Sequence, residues 1–191
     1  MKLFPSVPIA LTLLASVPAF SQAPDSPAQR IAVQREAMNK LSFLDGQWRG
    51  PASTILPNGS KHEITQTERA GPFLDGAIRV IEGKGYDSDG KVSFNALATV
   101  SFNAATGTYT IHSHAMGYVG DYTLKLTGDG FSWEIPAGPM TIRYVATIKD
   151  GSWREVGERI MPGKEPVRFF EMTLKRIGDT TWPAGGAVSP K

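Results

Sequence analysis

The chain has 191 residues, 20 of them basic and 18 acidic, and a formal net charge of +2 at pH 7. This length suits one domain that buries about two thirds of its unfolded surface. Both signs of charge are scattered along the chain, so no basic stripe is available to bind a phosphate backbone, and we expect no nucleic-acid partner. The absence of cysteine excludes disulfides, thiolate metal sites and a cysteine nucleophile.

The first 21 residues have the pattern of a cleavable export signal. Lys2 gives a positive start, residues 9–17 form an apolar run, and Ala19-Phe20-Ser21 is a small-x-small site. The apolar run is shorter than the roughly 20 residues that span a bilayer, and no later segment approaches that length. We therefore expect cleavage near Ser21 and a periplasmic or secreted protein without a transmembrane segment, a retained signal anchor being the alternative.

Residues 22–40 predict a leader followed by one helix. The leader is polar and rich in proline, after which Ser26 can cap a helix whose first position is Pro27, where a missing N–H costs nothing. The apolar residues Ile31 and Met38 fall roughly on one side of this helix. We expect the helix to close one end of the fold or to lie against its wall.

Residues 41–178 carry turn signals, such as Pro57-Asn58-Gly59, about every eight to twelve residues, which is typical of a sandwich or barrel. The pattern predicts an all-β fold, an antiparallel up-and-down β-barrel of about ten strands with one N-terminal helix. Residues 179–191 lose the alternation and are predicted to form a flexible tail. The predicted strands are 47–55, 61–69, 74–83, 92–102, 108–116, 121–126, 131–136, 141–149, 153–161 and 167–176.

Trp48 and Arg176 are predicted to form a structural latch. A tryptophan that opens the first strand can plug one end of a closed barrel. In the last strand, Phe170, Met172 and Leu174 share a face with Arg176, so the arginine ends an apolar inward row. An inward arginine needs a partner, and the ring of Trp48 offers a cation–π contact.

His112 and His114 are candidate ligand-binding residues because they alternate on one side of a predicted strand. Both rings point either into the barrel or into solvent. The opposite row, which includes Tyr109 and Ile111, is more apolar and suits the inward face. The His-x-His spacing also allows a metal pair, but no acidic residue in this strand completes a three-ligand set, and we predict no metal site.

Trp133 and Tyr144 would line an apolar pocket with two polar handles if they point inward, and ordinary core packing is the alternative. Arg143, on the other row of its strand, is a further candidate. Glu158 can pair with it across the barrel wall, and surface ion pairing is the default interpretation for both Glu155 and Glu158. Gly83-Lys84-Gly85 lacks the strand-to-helix context of a phosphate-binding loop.

Three segments carry a resemblance to known barrels. Gly46-x-Trp48 with a closing arginine resembles the calycin superfamily of lipocalins and fatty-acid-binding proteins. Over about Leu41 to Gly178, the chain more closely resembles a family of exported bacterial proteins without an assigned role, related to nitrobindin-like barrels. The segments that carry this second resemblance are Phe43-Leu44-x-Gly46-x-Trp48-x-Gly50, Gly71-Pro72-Phe73-Leu74 and Phe170-Glu171-Met172-Thr173-Leu174-x-Arg176.

The nitrobindin-like resemblance implies a haem held by a histidine late in the barrel. This chain has no histidine after His114. The resemblance therefore implies the fold, and we predict no haem, no other cofactor and no structural metal.

The sequence predicts a periplasmic barrel, monomeric or homodimeric, that binds a small apolar or amphipathic ligand. Small inward candidates such as Ala96, Ala98 and Ser113 would leave volume for it. One alternative is an enzyme that acts on a small aromatic or lipid-like substrate with His112 or His114 as a base. Another is an envelope barrel that binds proteins through an exposed apolar patch.

Overall fold

The computed structural model describes residues 26–186 and 188–189. The predicted export signal and the first residues of the leader lie outside the described residues. Within them, nearly all residues after Gly46 belong to strands or to the short turns that join strands.

Ten antiparallel strands form a closed barrel in which each strand pairs with the next and the first pairs with the last. Every strand therefore has a partner on both sides, although β6 and β7 pair only over residues 124–126 and 131–133. The predicted fold class is confirmed. The strands are β1 (Gly46–Ile55), β2 (Lys61–Phe73), β3 (Ile78–Tyr86), β4 (Val92–Asn103), β5 (Thr108–Ala115), β6 (Tyr118–Leu126), β7 (Gly130–Ala137), β8 (Met140–Lys149), β9 (Ser152–Ile160) and β10 (Val167–Gly178).

The largest difference from the predicted strands is at the β2–β3 turn. Residue 74 was predicted to begin a strand, but β2 continues to Phe73 and a tight turn follows. Leu74, Asp75 and Gly76 all have positive φ, at 49°, 53° and 85°. A leucine rarely adopts this conformation, and the strand prediction overlooked the Asp75-Gly76 pair that follows it, which is a hairpin-turn signal.

One helix, α1 (Pro27–Asn39), precedes the barrel and lies against β3 and β4. Its start has the predicted cap: the Ser26 hydroxyl accepts from the Gln29 N–H at 3.2 Å, and the Gln29 side chain accepts from the Ser26 N–H at 2.9 Å. Met38 is buried, whereas Ile31 is exposed rather than packed on the barrel. Neither this helix nor any other in the described residues is long and apolar enough to cross a membrane.

The end of the barrel next to α1 is solid. Leu41 and Leu44 are fully buried there, and a short 3-10 helix, Ser42–Leu44, leads into β1. Trp48 is 2% exposed, its indole N–H donates to the Leu44 carbonyl at 2.9 Å, and its ring meets Trp153 edge-on at 5.8 Å. Trp48 therefore closes this end of the barrel, which we call the closed end.

The predicted ring contact between Trp48 and Arg176 is replaced by a different arrangement. Their Cα atoms are paired in the β1–β10 ladder, but the Arg176 guanidinium donates to the backbone carbonyl of Asp45 at 3.2 Å and pairs with Asp179. The inward arginine at this end is instead Arg79, which is 3% exposed. It binds both carboxylate oxygens of Asp45 at 2.6 Å and the carbonyl of Met38.

Residues 179–186, in the segment predicted to be a flexible tail, contact the barrel wall, and the flexibility of the segment stays a prediction. Trp182 lies on the outside of β2, where the Arg69 guanidinium stacks over its ring at 4.3 Å. A Cβ at Gly71 would be 2.1 Å from the Trp182 carbonyl oxygen, so the glycine makes this approach possible. The cation–π contact between Arg69 and Trp182 joins this segment to the barrel wall.

Candidate functional site

A cavity of about 460 Å³ occupies the barrel interior between the closed end and the opposite rim. Its floor includes Trp153 and Phe131, whose rings meet edge-on at 6.3 Å. Near the rim its lining includes Tyr118 and Val119, which are 81% and 61% exposed. The cavity therefore reaches solvent at the rim, which we call the open end, and is sealed at the other.

The cavity wall is rich in aromatic rings. Trp133 stacks on Tyr144 with ring centroids 4.8 Å apart and planes 16° from parallel, and Tyr122 packs on Trp133 at 5.4 Å. A β-bulge in β10 places the consecutive residues Phe169 and Phe170 both in the lining, each with its ring 6.0 Å from that of Tyr144. These rings form a continuous flat-faced surface on one side of the cavity.

Glu68, on β2, points into the cavity and is the first functional residue that sequence reasoning missed. Its carboxylate accepts a hydrogen bond from the Gln66 amide at 2.7 Å. A Cβ at Gly83 on the neighbouring strand would lie 2.6 Å from the Glu68 Oε1, so a side chain at that position would displace the carboxylate. Burial raises the pKa of Glu68 to about 8, and the negative charge of Glu155 contributes to the rise.

Glu155, on β9, is the second acidic residue in the lining and corrects its interpretation as a surface residue. It is 9% exposed, and the indole N–H of Trp153 donates to its carboxylate at 3.3 Å. Burial raises the pKa of Glu155 to about 7. Burial and the nearby Glu155 charge raise the pKa of the Tyr144 hydroxyl to about 12, so Tyr144 stays a neutral donor at physiological pH.

Both buried glutamates lie on inward-facing rows that contain polar as well as apolar residues. The inward row of β2 includes Ile64 and Gln66 before Glu68. A strand with polar residues on both faces gives no sign of which face is buried. The signal that could have found Glu68 is the pair of inward glycines, Gly83 and Gly85, on the adjacent strand.

Of the predicted ligand-binding residues, Trp133 and Tyr144 line the cavity and His112 and His114 lie outside the barrel. The His112 Nδ1 is 2.6 Å from the Asp121 carboxylate, and the two histidine rings are 4.8 Å apart. The inward row of β5 contains Ile111, Ser113 and Ala115, as the more apolar pattern indicated.

The two remaining candidates also lie outside the cavity lining. The Arg143 guanidinium is on the outer wall and pairs with Glu158 at 2.7 Å, the pairing that the sequence suggested. Tyr109 is in the interior near the closed end, where its hydroxyl donates to the Ala37 carbonyl at 3.0 Å. Tyr109 therefore fastens α1 to the barrel.

The lining does not fit the haem site that the nitrobindin-like resemblance implies. The histidine among the lining residues is His62 on β2, whose Nε2 is 3.2 Å from the Asp87 carboxylate. The later strands contribute aromatic, aliphatic and acidic side chains. In the described part of the chain, no three His, Asp or Glu residues are grouped to hold a metal ion. The absence of haem and metal stays a prediction.

No protein-family model matches the chain, and no curated protein matches its sequence. Two solved structures are similar in fold. Rv2717c from M. tuberculosis has a TM-score of 0.57 and 14% identity over 74% of this chain and 97% of that one. The S-type phycobiliprotein lyase CPES from Guillardia theta has a TM-score of 0.52 and 11% identity over 78% of this chain and 98% of that one. At these identities the likeness shows the fold alone.

Proposed function

We propose that this protein is a periplasmic barrel that binds one small, mainly apolar molecule in its interior. The observation that carries the proposal is the cavity of about 460 Å³, sealed at one end and open to solvent at the other. Pockets of about 300–1,000 Å³ bury most of the surface of a small-molecule ligand. The periplasmic location rests on the pattern of the first 21 residues, and the resemblance to exported bacterial proteins agrees with it.

The chemistry of the wall favours a ligand with a flat apolar part. Trp133, Tyr144 and Tyr122 present ring faces and edges to the cavity. Ala96 and Ala98 on β4 also line it, and their small side chains leave volume for a ligand. Water in such a space has few polar partners, so its displacement by an apolar group is favourable.

A few polar atoms in the lining are available to orient the ligand. The buried Ser93 hydroxyl has no hydrogen-bond partner among the described residues. Within the described ranges of the chain, the Glu68 and Glu155 carboxyls each accept one side-chain hydrogen bond, and so they keep lone pairs for a ligand. A small number of placed polar groups in an apolar pocket is typical of a ligand site.

A neutral fluorescent probe, N-phenylnaphthylamine, tests the binding proposal. We expect saturable enhancement of its fluorescence at one site per chain. Ala98→Phe should fill the cavity and lower the affinity about tenfold or more, whereas Thr99→Phe, on the outer face of the same strand, should not. Absence of saturable binding to a folded wild-type protein would contradict the proposal.

An enzyme that uses the same cavity is the second candidate, and the two carboxyls favour it. Their pKa values, about 8 for Glu68 and about 7 for Glu155, suit proton transfer near neutral pH. His112 and His114 cannot serve this cavity as bases, because they lie outside the wall. Chemical conversion of a bound molecule, seen by mass spectrometry and lost in Glu68→Gln, would favour the enzyme over a binding protein.

A further inference from the structure

In the part of the chain that the structure describes, the cavity lining contains acidic side chains but no arginine or lysine. Glu68 and Glu155 reach it from strands on different sides of the barrel. Its basic lining residue is His62, which faces Asp87 at the open end. Among the described residues, neither glutamate forms an ion pair within the barrel. A carboxylate ligand would therefore meet carboxyl groups and find no fixed cation.

The positions of both carboxyls are fixed by their surroundings. Gly83 leaves the space that Glu68 occupies, and the Gln66 amide holds one of its oxygens. Glu155 is held by the Trp153 indole, which itself packs on the closed end. A buried carboxylate that has no partner of opposite charge is unfavourable for stability unless something compensates it.

The nearby charges outside the cavity do not supply that compensation. The acidic Glu82 lies behind the β2–β3 wall, where Arg69 and Lys84 bind it. The Arg159 guanidinium, near Tyr144, stacks on Phe169 at 4.4 Å and donates to the Ile55 carbonyl at 3.4 Å. The other ionisable groups of the lining are His62 and the tyrosines Tyr118, Tyr122 and Tyr144. A cation that enters the cavity would be the direct partner of Glu68 and Glu155.

We propose that the ligand carries an amine, whose ammonium group lies against Glu68 and Glu155 while its apolar part packs on the aromatic wall. This inference rests on the proposed binding function and names the ligand class. The rings of Trp133 and Tyr144 add a cation–π attraction that a neutral or anionic ligand lacks. At a pH where the two carboxyls are ionised, fatty acids and other carboxylates are disfavoured, because their charge has the same sign as that of the site.

Proton release distinguishes an amine from a neutral ligand. Where burial keeps a glutamate protonated, binding of an ammonium group favours its ionised form, and a proton leaves the complex. The affinity for an amine should therefore rise up to about tenfold per pH unit from pH 6 and level off near pH 8. A neutral ligand that accepts a hydrogen bond from the protonated carboxyl should show the opposite trend.

Three matched probes test the inference: naphthylmethylamine, naphthylmethanol and naphthoic acid, titrated by calorimetry at pH 6, 7 and 8. At pH 8 we expect the amine to bind at least about tenfold more tightly than the alcohol, and the acid to bind most weakly. Titrations in phosphate and in Tris buffer should show net proton release with the amine alone.

Glutamate-to-glutamine variants, which remove the charge and keep the shape, test where the ammonium group binds. Glu68→Gln and Glu155→Gln should each weaken amine binding about tenfold or more, while the alcohol keeps its affinity and so reports an intact cavity. Glu134→Gln, on the exposed outer face of β7, is the matched control and should change neither affinity. Equal affinities for amine and alcohol, or strongest binding of the acid, would overturn the amine inference and leave the binding function standing. Failure of all three probes would overturn both proposals.

Discussion

The two halves of this barrel treat buried charge in opposite ways. At the closed end, the Arg79 guanidinium gives its donors to the Asp45 carboxylate and to the Met38 carbonyl. In the cavity half, Glu68 and Glu155 are held by a single neutral donor each. The paired guanidinium of Arg79 joins α1 to the barrel, whereas the unpaired carboxyls of Glu68 and Glu155 lower stability and remain available to a ligand.

The same contrast holds for packing. Leu41, Leu44 and Trp48 fill the closed end with at most 2% of their surface exposed. Trp133 and Tyr144 have comparable size but face an open volume of about 460 Å³. The closed end therefore provides most of the specific packing. The other half can keep its cavity because the packed closed end and the hydrogen-bonded ring of strands stabilise the fold.

The largest expected effect comes from removing one tryptophan from each half. Trp48→Ala should lower the free energy of unfolding by about 3–5 kcal/mol, because it leaves a void in a packed region and removes a buried hydrogen bond. Trp133→Ala should lower it by less than about 2 kcal/mol, because its ring already borders a cavity. Urea denaturation of the two variants measures both values.

Ligand binding should show the reverse order. A Trp133→Ala protein should lose affinity for N-phenylnaphthylamine, and Trp48→Ala should keep it at temperatures where the protein is folded. Equal losses of stability in both variants would mean that the two halves are not distinct in packing.

A second, smaller effect is the dependence of stability on pH. The pKa of Glu68 rises from an ordinary value of 4.5 to about 8 on folding, so between these values the folded state holds a proton that the unfolded state has lost. Stability should therefore be highest near pH 5 and fall as the pH rises through 8. The full shift corresponds to about 5 kcal/mol, and relaxation of the site around the ionised carboxylate should reduce the observed loss to about 1–3 kcal/mol, which Glu68→Gln should remove.

Two exposed acidic residues with shifted pKa values do not contribute to the change in stability between pH 5 and pH 8. Ion pairs with lysine lower the pKa of Glu63 and Asp89, so these groups change stability only below about pH 4.5. A denaturation series at pH 5, 7 and 9 therefore isolates the buried carboxyls. A Glu68→Gln variant with the same slope as wild type would show that the carboxylate is solvated in the cavity.

The sequence was sufficient for the barrel and for the place of Trp48 at its closed end, but not for the Arg79–Asp45 pair found there. Turn residues at regular spacing place the strand boundaries within a few residues. Gly46-x-Trp48 marks the first strand, whose tryptophan closes one end of the barrel. These features are local, because turns need particular φ angles and a large ring at a strand start needs a packed end.

The same reasoning predicts the aromatic residues of the candidate site but not its two glutamates. Trp133 and Tyr144 are aromatic, so an inward position follows from hydrophobicity. Glu68 and Glu155 are acidic, and the prior that carboxylates face solvent assigns them to the surface. Their inward position depends on the register with neighbouring strands, above all on Gly83, and register is a property of the assembled barrel.

The smallest expected effect is on the outer wall of the same barrel. His112→Ala and His114→Ala should each change the free energy of unfolding by no more than about 0.5 kcal/mol, because both rings lie on the outer face, and the exposed pair of His112 with Asp121 is worth little. Neither variant should change the affinity for naphthylmethylamine, because neither ring lines the cavity that contains Glu68 and Glu155. Ala98→Phe provides the positive control in the same titration. A tenfold loss of amine binding in His112→Ala would place the amine site on the outer wall and contradict the cavity as the site of binding.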